Sequence, residues 1–284
     1  MSAVRGLFNF LLFSSLYVAC IAIVMIWQTN TLLHVQEVNH VYYFFVFCAT
    51  MCSYNFHWYL TPADYSTSER IQWGARHKGL QLALCAISGA GALYGFWLLK
   101  EHWLPLGGAA VLTFLYSAPK LPQRAFVWLR KIAVGKTIFL TTVWIYVTTV
   151  LPLFIERQPY SHDMLLFALH RFFLVYALCI LFDYRDLESD RREGIRSLIT
   201  WLSPRNLRKL YATSLVLAAV FALALYPVDN WLLTGILLAP VVITTGLTRY
   251  IMQNRSDHFY YFVVDGMVML SSLLHFILVR SGLL

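Results

Sequence analysis

"MLLFALHRFFLVYALCILFDYRDLESDRREGIRSL", Met164 to Leu198, changes character at Asp183. The residues from Met164 to Phe182 carry one formal charge, Arg171. The eleven positions from Asp183 to Glu193 hold five carboxylates: Asp183, Asp186, Glu188, Asp190 and Glu193. As a helix the apolar part is about 28 Å long, the thickness of a bilayer's hydrocarbon core. The stretch therefore reads as a membrane span that ends in a cluster of acids.

The rest of the chain repeats the apolar half of this pattern. The sequence is 59% hydrophobic with a mean hydropathy of +0.62. Apolar runs predict nine spans, near 6–28, 39–60, 79–99, 103–119, 132–154, 163–182, 207–226, 231–248 and 258–279. In lipid only helices or a closed barrel satisfy every backbone group, and these runs are too long and too continuously apolar for barrel strands. The expected fold is all-α: a polytopic bundle of nine transmembrane helices, one domain over 1–284, with a lipid-accessible central cavity opening to the cytoplasmic side. The first run is longer than a signal-peptide core and has no clear cleavage site, so it reads as a retained helix.

Lysine and arginine set the orientation. With the N-terminus cytoplasmic, the outer segments hold only Lys100, Arg157 and Arg280, and Arg171 lies inside a span. The net charge of +8 is then a topology signal, and no nucleic-acid partner is implied. The short N-terminus favours a bacterial inner membrane. All five cysteines fall in spans without metal-site spacing, and no disulfide is implied. Gly91 and Gly95 have the spacing of a close helix contact. His34 and His275 read as interfacial.

On a helix, Asp183, Asp186 and Asp190 fall at about 0°, 300° and 340°, within an arc of about 60°. Like charges at these spacings repel. A divalent cation with oxygen ligands compensates them, and Mg²⁺ binds through one or two carboxylates plus substrate phosphates. The competing reading is a solvated mixed-charge loop, since arginines are interleaved.

"DYRDLESDRREGIRSL" resembles the second aspartate-rich motif of the UbiA superfamily of intramembrane prenyltransferases. The pattern D-x-x-D-x-x-x-D followed by G-I-R-S is close to that of the homogentisate-type and chlorophyll-type branches. "LYSAPKLPQRAFVWLRK", Leu115 to Lys131, resembles the family's tyrosine-containing cytosolic segment, here Tyr116 and Lys120. The resemblance implies a Mg²⁺-dependent transfer of a prenyl group from a prenyl diphosphate to a hydrophobic acceptor, aromatic or lipid, among membrane lipids. It implies that Asp183, Asp186 and Asp190 hold the metal. Lys120, Arg124, Arg130 and Lys131 would meet the phosphates, and Tyr116 would orient the diphosphate or face the allylic cation.

The family's first motif should close the second span, which ends "SYNFHWYLTPADYSTSER", Ser53 to Arg70. Asn55 matches its asparagine. Phe56 and Tyr59 stand where two aspartates belong, and Asp64 comes one residue late. This motif is degenerate. The missing charge would come from His57, Arg70, Lys78 or Lys120, or Asp64 and Glu69 would rebuild a metal site. Asn55 and His57 remain candidate substrate-binding residues.

Asp265 and Arg171 lie within spans, where charge is costly and a functional role is the default. They would pair with each other, or Asp265 with His170, or Asp265 would line the acceptor cavity and take up a proton. An intramembrane terpene cyclase and a non-catalytic lipid-binding or scaffolding protein are the alternatives. A transporter would show repeats or broken helices at the midplane, and the sequence shows neither.

Overall fold

The computed structural model describes residues 2–61, 68–117, 136–192, 202–225 and 231–284, without the side chains of 2–3, 116–117, 136 and 188–192. The described residues contain helices and no strand. They form α1 (Ser2–Phe13), α2 (Leu16–Leu32), α3 (His40–Tyr59), α4 (Glu69–Arg76), α5 (Lys78–Leu98) and α6 (Trp103–Ser117). Next, α7 (Lys136–Ile145) runs through a π-helical stretch, Tyr146–Val150, into α8 (Leu151–Ile155). The remainder is α9 (His162–Arg192), α10 (Pro204–Leu225), α11 (Trp231–Gln253), a second π stretch (Phe259–Val264) and α12 (Asp265–Arg280).

Six of these units are long and apolar enough to cross a membrane, or seven if the bent pair α1–α2 is one span. The second and fourth expected spans are also helical. However, α3 is diluted by four tyrosines, two histidines and Asn55, and α6 is described over only 15 residues. The described residues therefore establish an all-helical chain of membrane-spanning character without reaching nine spans.

The helix contacts close a circuit: α2 packs on α3, α3 on α6, α6 on α7, α7 on α9, and then α9, α10, α11 and α12 in order, with α12 returning to α2. α5 stands outside this ring against α3. Its glycines allow the approach: a Cβ on Gly95 would lie 3.0 Å from the Phe45 Cβ, and one on Gly91 2.7 Å from the Cys48 Sγ. Segments expected on one side meet at one end. There Arg5 pairs with Glu69 at 3.4 Å and Arg185 with Asp257 at 3.4 Å. At the other end Asn39 N donates to Glu156 Oε1 at 2.6 Å, and Arg157 pairs with Glu101 at 3.5 Å.

The first expected span is not straight. Ser15 adopts φ 70°, and α1 and α2 meet at a bend of 59°. The break frees two carbonyls, and both are capped by side chains. Arg70 Nη1 donates to Phe13 O, and Asn55 Nδ2 donates to Ser14 O at 2.9 Å.

The π stretch before α8 has a covalent cause. Pro152 has no N–H, so the carbonyl four residues back, Thr148 O, loses its α-helical donor. Thr29 Oγ1 donates to it at 2.7 Å and Arg171 Nη1 at 3.4 Å. Arg171 is fully engaged by neutral oxygens. It also donates to Thr29 Oγ1, Thr149 Oγ1, Met25 O, Gln28 Oε1 and Ser272 Oγ, between 2.8 and 3.3 Å, and stacks on Phe167 at 4.3 Å. Neither the expected Arg171–Asp265 pairing nor the alternative Asp265–His170 pairing forms. No carboxylate touches Arg171 among the described residues, and the neighbouring His170 turns its Nδ1 to Ala218 O at 2.8 Å. His275 also departs from expectation: it is buried against Trp27, because α12 turns that face toward α2.

Arg171→Leu is expected to cost about 3 kcal/mol, since several buried acceptors lose a charged donor at once. A lower thermal unfolding midpoint in detergent would show it. Arg171→Lys should recover little, because one ammonium cannot reach α2, the π stretch and α12 together.

Candidate functional site

The last two turns of α9 carry the acids. The helix continues without a break to Arg192, so the spacing that puts Asp183, Asp186 and Asp190 on one face holds for its backbone. Thr137 Oγ1, from the start of α7, donates to Asp183 Oδ2. Asp186 is gripped by its neighbour: Arg185 Nε donates to Oδ1 at 2.8 Å and Nη2 to Oδ2 at 3.3 Å. The Asp190 carboxylate lies outside the described side chains, as does Tyr116, and Asp64, Lys120, Arg124, Arg130 and Lys131 lie outside the described residues. Among the described residues no three His, Cys, Asp or Glu side chains come together as a metal site. Among the described side chains, Asp183 and Asp186 stand on one helix face at the end of a span, while Asn55, His57 and Asp265 lie elsewhere.

Asn55 does not face this end of the bundle. It is fully buried, and its amide N–H groups go to Ser14 O at 2.9 Å and Met51 O at 2.8 Å. Its match to the first motif coincides with a structural task, closing the bend between α1 and α2. Its Oδ1 has no partner among the described residues. His57 is half-buried with its ring edge-on to Trp58 at 5.6 Å. Arg70, a candidate for the missing charge, is 2% exposed and turned away toward the same bend, with Trp58 against it at 4.5 Å. Burial pulls its guanidinium down to about 9, opposed by Tyr261 and Asp257. It is still a cation at neutral pH. Lys78 is exposed, with its Nζ 5.9 Å from the Tyr59 ring centre.

Two residues that the sequence did not single out organise the site. Arg185 is the first. Besides Asp186 it reaches Asp257 Oδ1 at 3.4 Å and Tyr261 Oη at 3.3 Å, and its guanidinium lies 4.8 to 5.3 Å from the rings of Tyr260, Tyr261 and Phe182. Asp257 is the second. Its Oδ2 accepts from Ser68 Oγ at 2.7 Å and from the Arg70 backbone N–H at 2.9 Å, so it caps α4 from another part of the chain. Ser68 itself caps α4 through Ile71 N at 3.2 Å. The sequence signal for both was local and slight: an arginine beside an aspartate in the acidic motif, and an aspartate opening the aromatic run "HFYYF".

Asp265 begins α12 directly after the second π stretch. It retains accessible surface, makes no hydrogen bond or ion pair among the described residues, and lies within electrostatic reach of Tyr17 and Arg185. Tyr17 is held beside it by donating to Phe262 O at 3.0 Å. The arrangement thus has acids at the end of α9, a fixed guanidinium among aromatic rings, and an unpaired carboxylate deeper in the bundle. No family model, curated protein or solved structure matches the chain.

Asp257→Ala should release α4 from its cap, at a cost of about 1–2 kcal/mol. Faster amide hydrogen exchange confined to residues 69–76 is the expected result, with the spans unchanged.

Proposed function

We propose that this protein is a Mg²⁺-dependent intramembrane prenyltransferase that moves a prenyl group from a prenyl diphosphate to a hydrophobic acceptor, aromatic or lipid. The observation that carries the reading is the helix that leaves an apolar span with Asp183 and Asp186 on one face and a buried cation beside them. The donor set is all oxygen, which suits a hard divalent cation. In this reading the chain has nine spans, with the N-terminus and the acidic end of α9 at the cytoplasmic face and the acceptor inside the helix ring.

Asp183, Asp186 and Asp190 would hold the metal. Thr137 fixes the orientation of Asp183 through its hydroxyl. Bound Mg²⁺ supplies positive charge to a departing diphosphate. Lys120, Arg124, Arg130 and Lys131 would add hydrogen-bonding cations, and Tyr116 would orient the donor. The prenyl carbocation needs a dry site, which the apolar ring would provide. Asp265 would accept the proton lost when an aromatic acceptor regains its ring. Asn55 and Arg70 act at one remove, by keeping the α1–α2 bend closed.

The burial of Asn55 and the loss of two first-motif acids favour a second reading, a lipid-binding protein of this fold without catalysis. One experiment separates the two. Pyrophosphate release is measured from purified protein with geranyl, farnesyl and geranylgeranyl diphosphates, with and without Mg²⁺. Metal-dependent release that falls at least about 100-fold in Asp186→Asn supports the transferase. No release, together with no Mg²⁺-dependent binding of a non-hydrolysable donor analogue, would refute it in favour of the second reading.

A further inference from the structure

Arg185 and a divalent cation need the same atoms. The guanidinium holds both carboxylate oxygens of Asp186, through Nε at 2.8 Å and Nη2 at 3.3 Å. A metal drawing on Asp186 competes with these contacts, because the guanidinium charge repels a cation and already occupies a lone pair on each oxygen. Access is not the obstacle: the Asp186 side chain is 45% exposed, whereas that of Arg185 is 9% exposed. A metal would have solvent access to Asp186 while the guanidinium stays largely buried.

Displacement does not set Arg185 loose. Asp257 Oδ1 still faces Nη1 at 3.4 Å, Tyr261 Oη still faces Nη2 at 3.3 Å, and three rings still border the guanidinium plane. Asp257 is anchored by Ser68 and the Arg70 backbone, so this second support is rigid. The charges then change their pairing. Before loading, Arg185 lies between two carboxylates. Afterwards it would keep one, while Nε–H and one Nη2–H would be left to donate, the other Nη2–H staying with Tyr261. A planar pair of N–H donors on a fixed cation matches two phosphate oxygens.

We infer that Arg185 masks Asp186 in the empty site and becomes a diphosphate-binding residue when a divalent cation takes Asp186. The inference rests on the metal–diphosphate reading of the end of α9. It assigns the compensating positive charge of the degenerate first motif to Arg185 in place of Arg70 or Lys78. It also gives binding an order, since the anion donors appear only once the metal is seated. A mouth without metal presents a neutralised acid and holds diphosphate weakly.

The test uses the full chain in detergent. Mn²⁺ binding is followed by electron paramagnetic resonance, and inorganic pyrophosphate binding by calorimetry at saturating Mn²⁺. Arg185→Gln should bind Mn²⁺ about tenfold tighter than the parent, because the competing charged donor is gone, and pyrophosphate about tenfold weaker. Arg185→Lys, which keeps a cation near Asp257, should shift both affinities in the same two directions by less. That variant also guards against loss of folding in Arg185→Gln. A purely structural role for Arg185 would weaken both ligands or leave both unchanged. Either result overturns the inference, provided Asp186→Asn loses the Mn²⁺ site, and the metal reading then stands. Absence of saturable Mn²⁺ binding in the parent and in both Arg185 variants would overturn the metal reading and this inference with it. Mn²⁺ binding that appears only after Arg185 is replaced supports the masking role.

Discussion

A backbone carbonyl freed inside an apolar bundle has no water to turn to, and at three such carbonyls among the described residues a side chain from another helix takes the water's place. The bend between α1 and α2 exposes Phe13 O and Ser14 O, which Arg70 and Asn55 take. Pro152 leaves Thr148 O without its helical partner, and Thr29 and Arg171 take that. At the second π stretch Phe262 O already accepts from the Asp265 backbone N–H, and Tyr17 adds a second bond to it. These bonds join segments far apart in the chain, so each irregularity also fastens two helices together. The ring is thereby tied at both of its irregular stretches and at its bend.

A buried arginine invites a search for a buried acid, yet Arg171 is satisfied by carbonyl, hydroxyl and amide oxygens drawn from α2, the π stretch and α12. Asp265 is left without an ionic partner among the described residues. It lies beside Tyr17 and within the field of Arg185. Arg70 belongs with Arg171: although it lies beside the acidic end of the bundle, its guanidinium turns away to the helix bend. Arg185, by contrast, holds an acid of the α9 motif with its guanidinium. Asp257 links it to α4, so α4 and α9 are held through one carboxylate.

Much of this was legible in the sequence. Apolar runs of membrane length determined an all-helical chain, because lipid permits no other element of that composition. The spacing of Asp183, Asp186 and Asp190 determined a shared helix face, because 3.6 residues per turn leaves no alternative once the segment is helical. The Gly91–Gly95 spacing foretold a close contact, and α5 does approach α3 there. The bend at Ser15, the burial of Asn55 and the partners of Arg171 were not legible. Each depends on which distant residue reaches a freed carbonyl, and local propensity carries no information about that. Asp257 and Arg185 escaped notice for the same reason: each is unremarked in its own segment and acquires its role from the other. The sequence by itself determined which groups could carry charge and on which helix face they stand. Only the tertiary structure decided which of those charges mend the backbone and which face the acids, because that choice is made by contacts between helices remote in the chain.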